Sequence, residues 1–158
     1  MTASPLVQLR SNLPAGRSSA SFMAVVILAG LLALGLFANG VFMLADPVKW
    51  YFAVPGVTTT GQFNQHFIRD IGIIFLFLGA AFGGGVLVPA MRFGLWAAGT
   101  AWLDAHAFFH LWEVAAGICG PAAIARDFPA VSLPALLAIA LTAWSWKTRP
   151  RLAYSGGA

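Results

Sequence analysis

The side chains in this sequence that are best suited to chemistry are its three histidines and the acids near them. His66 and Asp70 lie one helical turn apart. His106 and His110 repeat this spacing, and Glu113 falls within the same arc of a helix. Such pairs present two ligands to one metal ion, and imidazole with carboxylate suits zinc, iron or copper. Histidines on two facing helices could also bind a haem. The pattern therefore indicates a candidate metal or haem site with the metal ligands His66, Asp70, His106 and His110, and with Glu113 as a further ligand or base.

Arg69 lies between the residues of the first pair and allows two other interpretations of this polar set. As a clamp between helices, Arg69 would pair with Glu113 or Asp70, while the histidines donate hydrogen bonds to backbone and carboxylate oxygens. As a relay, the histidines and acids would carry protons or ions. We favour the clamp, and the sequence assigns no catalytic residue. The predicted cluster consists of His66, Arg69, Asp70, His106, His110 and Glu113.

The composition of the chain is that of a membrane protein. Hydrophobic residues make up 59% of the sequence and charged residues 9%, whereas soluble domains carry about 25% charged residues. A soluble fold could not cover its surface with so few charges, so lipid is the expected solvent. A charged side chain at mid-membrane costs about 2.5–3.5 kcal/mol. The predicted cluster therefore requires either mutual pairing or a function.

Four apolar segments predict an all-α, polytopic membrane protein with a bundle of four transmembrane helices. Each segment is close to the roughly 20 residues that cross the hydrocarbon. The segment from Gly120 to Pro129, which contains Arg126 and Asp127, is interpreted as an outer loop. The predicted organisation is a cytoplasmic arm over 1–20, a membrane domain over 21–147 with spans at about 21–45, 67–88, 93–118 and 130–146, and a cytoplasmic tail over 148–158.

The nine basic residues indicate the orientation of the chain. They form no run and no basic helix face, which argues against a nucleic-acid partner. Two precede the first span, Arg92 lies in the turn between the second and third spans, and Lys147, Arg149 and Arg151 follow the last span. The positive-inside rule therefore places both termini in the cytoplasm. The single cysteine, Cys119, excludes an intrachain disulfide.

Small residues predict how the helices pack, because helices in lipid associate where small side chains allow close approach. The opposite face of the third span, which includes Trp96 and Leu103, is expected to face lipid. The predicted packing residues are Gly72, Gly79 and Gly83 in the second span, and Gly94 and Ala98 in the third.

Two polar residues outside the predicted cluster are candidates for partner or interhelix contacts. Asp104 projects away from His106. An unpaired acid there is costly, so we expect it to face span four, span one or a partner subunit. Asn64, just before the second span, is the other candidate. Asn39 is interpreted as a residue whose side chain forms a hydrogen bond between helices.

The segment from Asn64 to Gly72 resembles a motif of small uncharacterised bacterial four-helix membrane proteins. In them, Asn-x-His-Phe-x-Arg-Asp-x-Gly opens the second helix and a histidine-bearing third helix follows, as His106 and His110 do here. The resemblance covers roughly residues 45–115. The bundle is also similar to the DoxX-like group of four-helix proteins. These resemblances imply a four-helix bundle in a bacterial inner membrane, and they imply no reaction.

These observations predict a non-enzymatic accessory or stabilising subunit of a larger membrane complex, respiratory or photosynthetic. The chain has almost no mass outside the membrane in which to do chemistry, and Asp104 and the small-residue faces suggest contacts with partners. A metal- or haem-dependent membrane redox protein or enzyme is the alternative, and a proton or ion transporter is the third. The expected partners are the lipid bilayer and other membrane subunits or a second copy of the chain.

Overall fold

The computed structural model describes residues 19–149, so most of the predicted arm and tail lie outside the described residues. Within this range the chain is helical and has no strand. In chain order the elements are α1 (Ser19–Ala45), α2 (Pro47–Ala53), α3 (Val57–Thr60), α4 (Gln65–Leu87), α5 (Arg92–Ala115), α6 (Ala122–Asp127), a π-helical turn (Phe128–Ser132) and α7 (Leu133–Thr148).

Three stretches of helix in the described range are long and apolar enough to cross a membrane: Ala20–Ala45, Gln65–Leu87 and Ala122–Thr148. Large apolar side chains on them are exposed, such as Leu34 on α1 and Phe77 on α4, at 65% and 71%. Such surfaces suit lipid. These features support an integral membrane protein, and the third predicted span corresponds to α5, which is less apolar than the other three.

Helices α1 and α4 pack backbone against backbone at glycines. A Cβ atom added at Gly79 would lie 2.7 Å from the Cβ of Phe37 and 2.9 Å from the carbonyl oxygen of Ala33. One added at Gly40 of α1 would lie 2.7 Å from the carbonyl oxygen of Gly72. No side chain fits at these points, because real Cβ contacts of this length do not occur. The predicted packing role of Gly72 and Gly79 matches this close approach, while the Cβ position of Gly83 is 3.8 Å from Ala33.

Helix α5 packs along both α4 and α7, but with a different face from the one predicted. Trp96 and Leu103 are 0% and 3% exposed, so their interpretation as lipid-facing residues is wrong. Ala98 is exposed, and open space surrounds the Cβ position of Gly94, so neither is packed against another of the described helices. The buried face of α5 differs from the predicted one because the indole nitrogen of Trp96 has a hydrogen-bond acceptor within the bundle. It donates to the carbonyl oxygen of Phe82, at 3.0 Å.

Arg92 holds the turn between α4 and α5. Its guanidinium donates to the carbonyl oxygens of Gly85 and Val86, at 2.7 and 3.4 Å, and its side chain is buried. These carbonyls end α4, where no intrahelical donor remains and where the helix dipole favours a cation. The rings of Trp96 and Trp144 flank the guanidinium carbon at 5.4 and 5.8 Å. The arginine expected in a surface turn is therefore a buried structural cation.

Candidate functional site

The best-connected group of polar side chains lies where α5 meets α6, and Asp127 is at its centre. The Oδ2 atom of Asp127 is 3.1 Å from Nδ1 of His110. Both side chains are mostly enclosed, at 13% and 27% exposed. The outer loop predicted over 120–129 is instead the helix α6, which continues through the π-helical turn into α7. This helical path carries Asp127 to the side of α5 that bears His110.

Arg126 completes this group at its more exposed end. Its Nε and Nη2 atoms donate to the two oxygens of Asp127, at 2.7 and 3.1 Å. The guanidinium also lies against the backbone of Gly56, where a Cβ atom would collide with it. Gly56 has a φ of +90°, a conformation that glycine adopts without strain. Arg126 thereby joins the segment before α4 to the segment after α5.

A cavity of about 270 Å³ opens beside Arg126. Thr59, Cys119 and Ala123 are among the residues that line it. Because Asp127 already occupies Arg126 with two charge-assisted hydrogen bonds, the cavity wall carries little net charge. We assign no ligand to it.

His106 extends the group along α5 toward the middle of the helix. Its ring centroid is 4.7 Å from that of His110, in an edge-to-face arrangement. On its other side it stacks on Trp102, with centroids 4.9 Å apart and planes at 18°. His106 lies about 14 Å from the end of α5, by the rise per residue of a helix. The order from the helix interior to the surface is therefore His106, His110, Asp127 and Arg126.

The first half of the predicted cluster lies apart from this group. His66 Nε2 is 3.2 Å from Asp70 Oδ2, so the pair predicted from its one-turn spacing is present. The two side chains are 89% and 55% exposed. Within residues 19–149, no hydrogen bond or ion pair joins either of them to His106, His110 or Glu113. The structure thus contains two separate histidine–aspartate pairs.

Arg69 does not pair with either acid proposed for the clamp. It donates from Nε to the carbonyl oxygen of Leu44, at 3.3 Å. This carbonyl is in the last turn of α1, where intrahelical donors are missing. Glu113 makes no side-chain hydrogen bond or ion pair with the described residues. The interhelical polar contact of this region is His110 with Asp127, rather than Arg69 with Glu113.

No group of three histidine, cysteine or acidic side chains in the described range is arranged to hold a metal ion. His66 and Asp70 supply two ligands and are separated from His106 and His110. A structural zinc site needs four protein ligands and a catalytic one needs three. The predicted zinc, iron, copper or haem site stays a prediction that this geometry does not support.

Asp104 lies near the middle of α5 and is unusual among the acids. Its Oδ1 atom is shielded from solvent, and no group among the described residues donates a hydrogen bond to it. The residue as a whole is partly exposed. Thr100, one turn earlier, forms a hydrogen bond with Thr142 of α7, with 2.8 Å between the hydroxyl oxygens. The predicted pairing of Asp104 with span one or span four is therefore not made within residues 19–149.

Asn64 and Asn39 have local partners. The Oδ1 atom of Asn64 accepts from the backbone nitrogen of Phe67 at 3.1 Å, so Asn64 caps the start of α4 rather than contacting a second helix. The Oδ1 atom of Asn39 accepts from the indole of Trp50 at 2.9 Å, which ties α2 to α1. Both side chains shape the ends of the bundle, and neither belongs to the group around Asp127.

Arg126 and Asp127 are the site residues that sequence reasoning missed. The segment from Gly120 and Pro121 to Pro129 was expected to be a loop, but proline is tolerated in the first turn of a helix. Pro121 precedes α6, and Pro129 and Pro134 lie in the first turns of the following elements. The run of Ala122, Ala123, Ile124 and Ala125 after Pro121 was the available helix signal.

Searches of protein-family models, curated proteins and solved structures found no match to this chain. The resemblance carried by Asn64 to Gly72, and that to the DoxX-like group, therefore stay predictions.

Proposed function

We propose that this chain is an integral protein of the bacterial inner membrane in which all four long helices cross the bilayer. It acts as an accessory or stabilising subunit of a larger respiratory or photosynthetic complex. The length of α5 supports the fourth span, since its 24 residues extend about 36 Å. Its packing along α4 and α7, which are both apolar enough to span, supports it as well.

The distribution of basic residues supports a cytoplasmic location for both termini. Arg92 and the cations at the end of α7 share one end of the bundle with the N-terminus of α1. The opposite end holds Lys49, Arg69 and Arg126, and two of these contact an aspartate. Lys147 and Arg149, which form no ion pair with a described residue, lie at the end that the positive-inside rule assigns to the cytoplasm.

The observation that carries the accessory role is the unpaired carboxyl group of Asp104. A carboxylate at mid-membrane is costly unless another group pairs with it or it binds a proton. Its Oδ1 is shielded from solvent and has no donor among the described residues, while the residue as a whole is partly exposed. A polar donor from a neighbouring subunit that reached the exposed part of this side chain would remove this cost.

The outward face of α5 beside Asp104 is shaped for close contact with another helix. Gly94, Ala98, Ala101 and Ala105 are exposed and follow helical spacing along one side. Small residues at such spacing let helices in lipid approach closely. The face lies opposite the buried residues Trp96 and Leu103, so a partner could reach it without disturbing the bundle.

The test is purification from native membranes in mild detergent, with the wild-type chain and variants of matched expression. We expect stoichiometric membrane subunits with the wild type, and their loss with Asp104→Leu and Ala98→Phe. Asp70→Leu, which removes an exposed acid elsewhere, is the control and should keep the partners. Recovery of the wild-type chain as an isolated monomer, or retention of all partners by both α5 variants, would contradict the proposal.

The row from His106 to Asp127 favours proton transfer as a second candidate function. Histidines and acids in such a row are the usual material of proton relays. This row begins inside α5 and reaches Arg126 near the surface. In proteoliposomes with a trapped pH indicator, we expect proton uptake to fall in His106→Gln and Asp127→Asn and to persist in His66→Gln. Flux equal to that of protein-free vesicles would exclude this function for the isolated chain.

A further inference from the structure

One end of the bundle contains none of the acidic side chains of this protein. This end, called the inner end here, is formed by the start of α5 and the end of α7. The chain contains five acids in total. They lie after α1, in the first turns of α4, in the middle and last turn of α5, and at the end of α6: Asp46, Asp70, Asp104, Glu113 and Asp127.

Arg149 occupies a defined place at the inner end. Its guanidinium carbon is 3.1 Å from the ring centroid of Trp146 and 5.4 Å from that of Phe93. These two rings contact each other, with centroids 4.9 Å apart, and so join the end of α7 to the start of α5. A ring face attracts a cation and leaves the edge of the guanidinium, with its N–H donors, free to bind an anion.

Within residues 19–149, no acidic side chain compensates the charges of Arg149 and Lys147. Both residues are exposed, and neither forms an ion pair with any described residue. The other described cation of this end, Arg92, is buried and donates its hydrogen bonds to carbonyl oxygens of α4. No described residue therefore supplies an anion to this end.

We propose that the inner end binds the phosphate headgroup of an anionic phospholipid, with Arg149 as the principal contact and Lys147 as a second cation. The half-exposed ring of Trp146 lies directly under the cation. Trp is the residue type that sits at headgroup level, where one side is apolar and the other is hydrated. A lipid supplies both an acyl chain for the ring and a phosphate for the guanidinium. The inference requires the chain to be embedded in a bilayer, as proposed above, but it requires no partner subunit.

The test uses the purified full chain in nanodiscs or detergent with phosphatidylcholine alone or mixed with phosphatidylglycerol. Native mass spectrometry counts the retained phosphatidylglycerol relative to phosphatidylcholine. We expect a clear preference for the anionic lipid, and a loss of about five-fold in that preference for each cation removed, in Arg149→Gln and in Lys147→Gln. Lys49→Gln is the matched control, since Lys49 lies at the other end and pairs with Asp46 at 2.8 Å.

Trp146→Leu separates a ring-held site from a diffuse charge effect, because it keeps both cations and removes the surface under Arg149. We expect it to lose most of the preference that Arg149→Gln loses. An unchanged preference in Arg149→Gln, or an equal loss in Lys49→Gln, would overturn the proposal. Displacement of the lipid by inorganic phosphate alone would overturn the assignment to a lipid. The lipid test does not depend on Asp104. The lipid proposal can therefore fail while the accessory role holds, and the accessory role can fail while the lipid proposal holds.

Discussion

The pair formed by α1 and α4 and the pair formed by α5 and α7 are held together in different ways. Between α1 and α4 the contacts are glycine to backbone, as at Gly40 and Gly72, with an apolar side-chain layer along them. Between α5 and α7 the interface includes the hydroxyl contact of Thr100 with Thr142, and Asp104 lies one turn away without a partner. The interface of α1 with α4 consists of backbone and apolar contacts and is called closed here. The interface of α5 with α7 contains polar groups.

This difference separates stability from function in the proposed bundle. In lipid, helix association depends on tight packing and interhelical hydrogen bonds, since apolar attraction between helices is weak. The first pair uses the tight packing, and its polar side chains are confined to its ends. The second pair places polar groups along its length, and a group left without a partner there, such as the Asp104 carboxyl, is costly in lipid. Both proposed functions therefore depend on residues of α5.

Filling the closed interface should have the largest effect. We expect Gly79→Leu to lower the free energy of unfolding by about 3 kcal/mol, the upper part of the range for overpacked cores. Its Cβ would meet the backbone nitrogen of Phe37 at 2.8 Å, and backbone cannot move aside. The control is Gly35→Leu on α1, where nothing lies within 4 Å. Unfolding in detergent measures the free energy of unfolding of both variants. Equal values would mean that the α1–α4 interface is not closed.

The junction between the two pairs should be the next most sensitive position. We expect Arg92→Ala to cost about 2 kcal/mol, because hydrogen bonds to charged groups contribute about 1.5–3 kcal/mol and the carbonyl of Gly85 would lose its donor. Arg149→Ala removes an exposed arginine of the same end and should leave the unfolding free energy nearly unchanged. Equal effects of the two substitutions would show that Arg92 acts only as a surface charge.

The closed pair was largely predictable from the sequence, because its pattern is local. Small residues at helical spacing in an apolar segment indicated Gly72 and Gly79, and both occupy the contact with α1. The same reasoning selected the wrong face of α5. Gly94 and Ala98 have the right spacing too, but Trp96 decides the orientation by reaching the carbonyl oxygen of Phe82. Spacing alone does not distinguish a face that packs within the chain from one that is left exposed.

The site was predicted only in part, because it depends on contacts between elements distant in sequence. His66 with Asp70 and His106 with His110 follow from the one-turn spacing, and both pairs are present. The link from His110 to Asp127 required knowing that the segment before α7 is helical despite its prolines. No one-dimensional pattern relates residues 110 and 127, so the separation into two pairs could not be foreseen.

The polar character of the α5–α7 interface can be tested at its hydroxyl pair. We expect Thr100→Val to cost about 1 kcal/mol, since it leaves the Thr142 hydroxyl without its partner at 2.8 Å. The double variant with Thr142→Val should recover most of that loss, because both polar groups are then gone. A double-mutant cycle measures the coupling. Additive losses would mean that the two hydroxyls do not depend on each other.

The smallest effect is expected at His66, and it sharpens the contrast between the two histidine pairs. Because His66 is 89% exposed, its contact with Asp70 is screened, and His66→Ala should change the unfolding free energy by less than about 0.5 kcal/mol. His110→Ala should cost more, since it leaves the mostly enclosed Asp127 with one partner fewer. Unfolding in detergent compares the two variants. If His66→Ala proved as costly as His110→Ala, the contact of His66 with Asp70 would not be screened by solvent, and the contrast between the two pairs would be wrong.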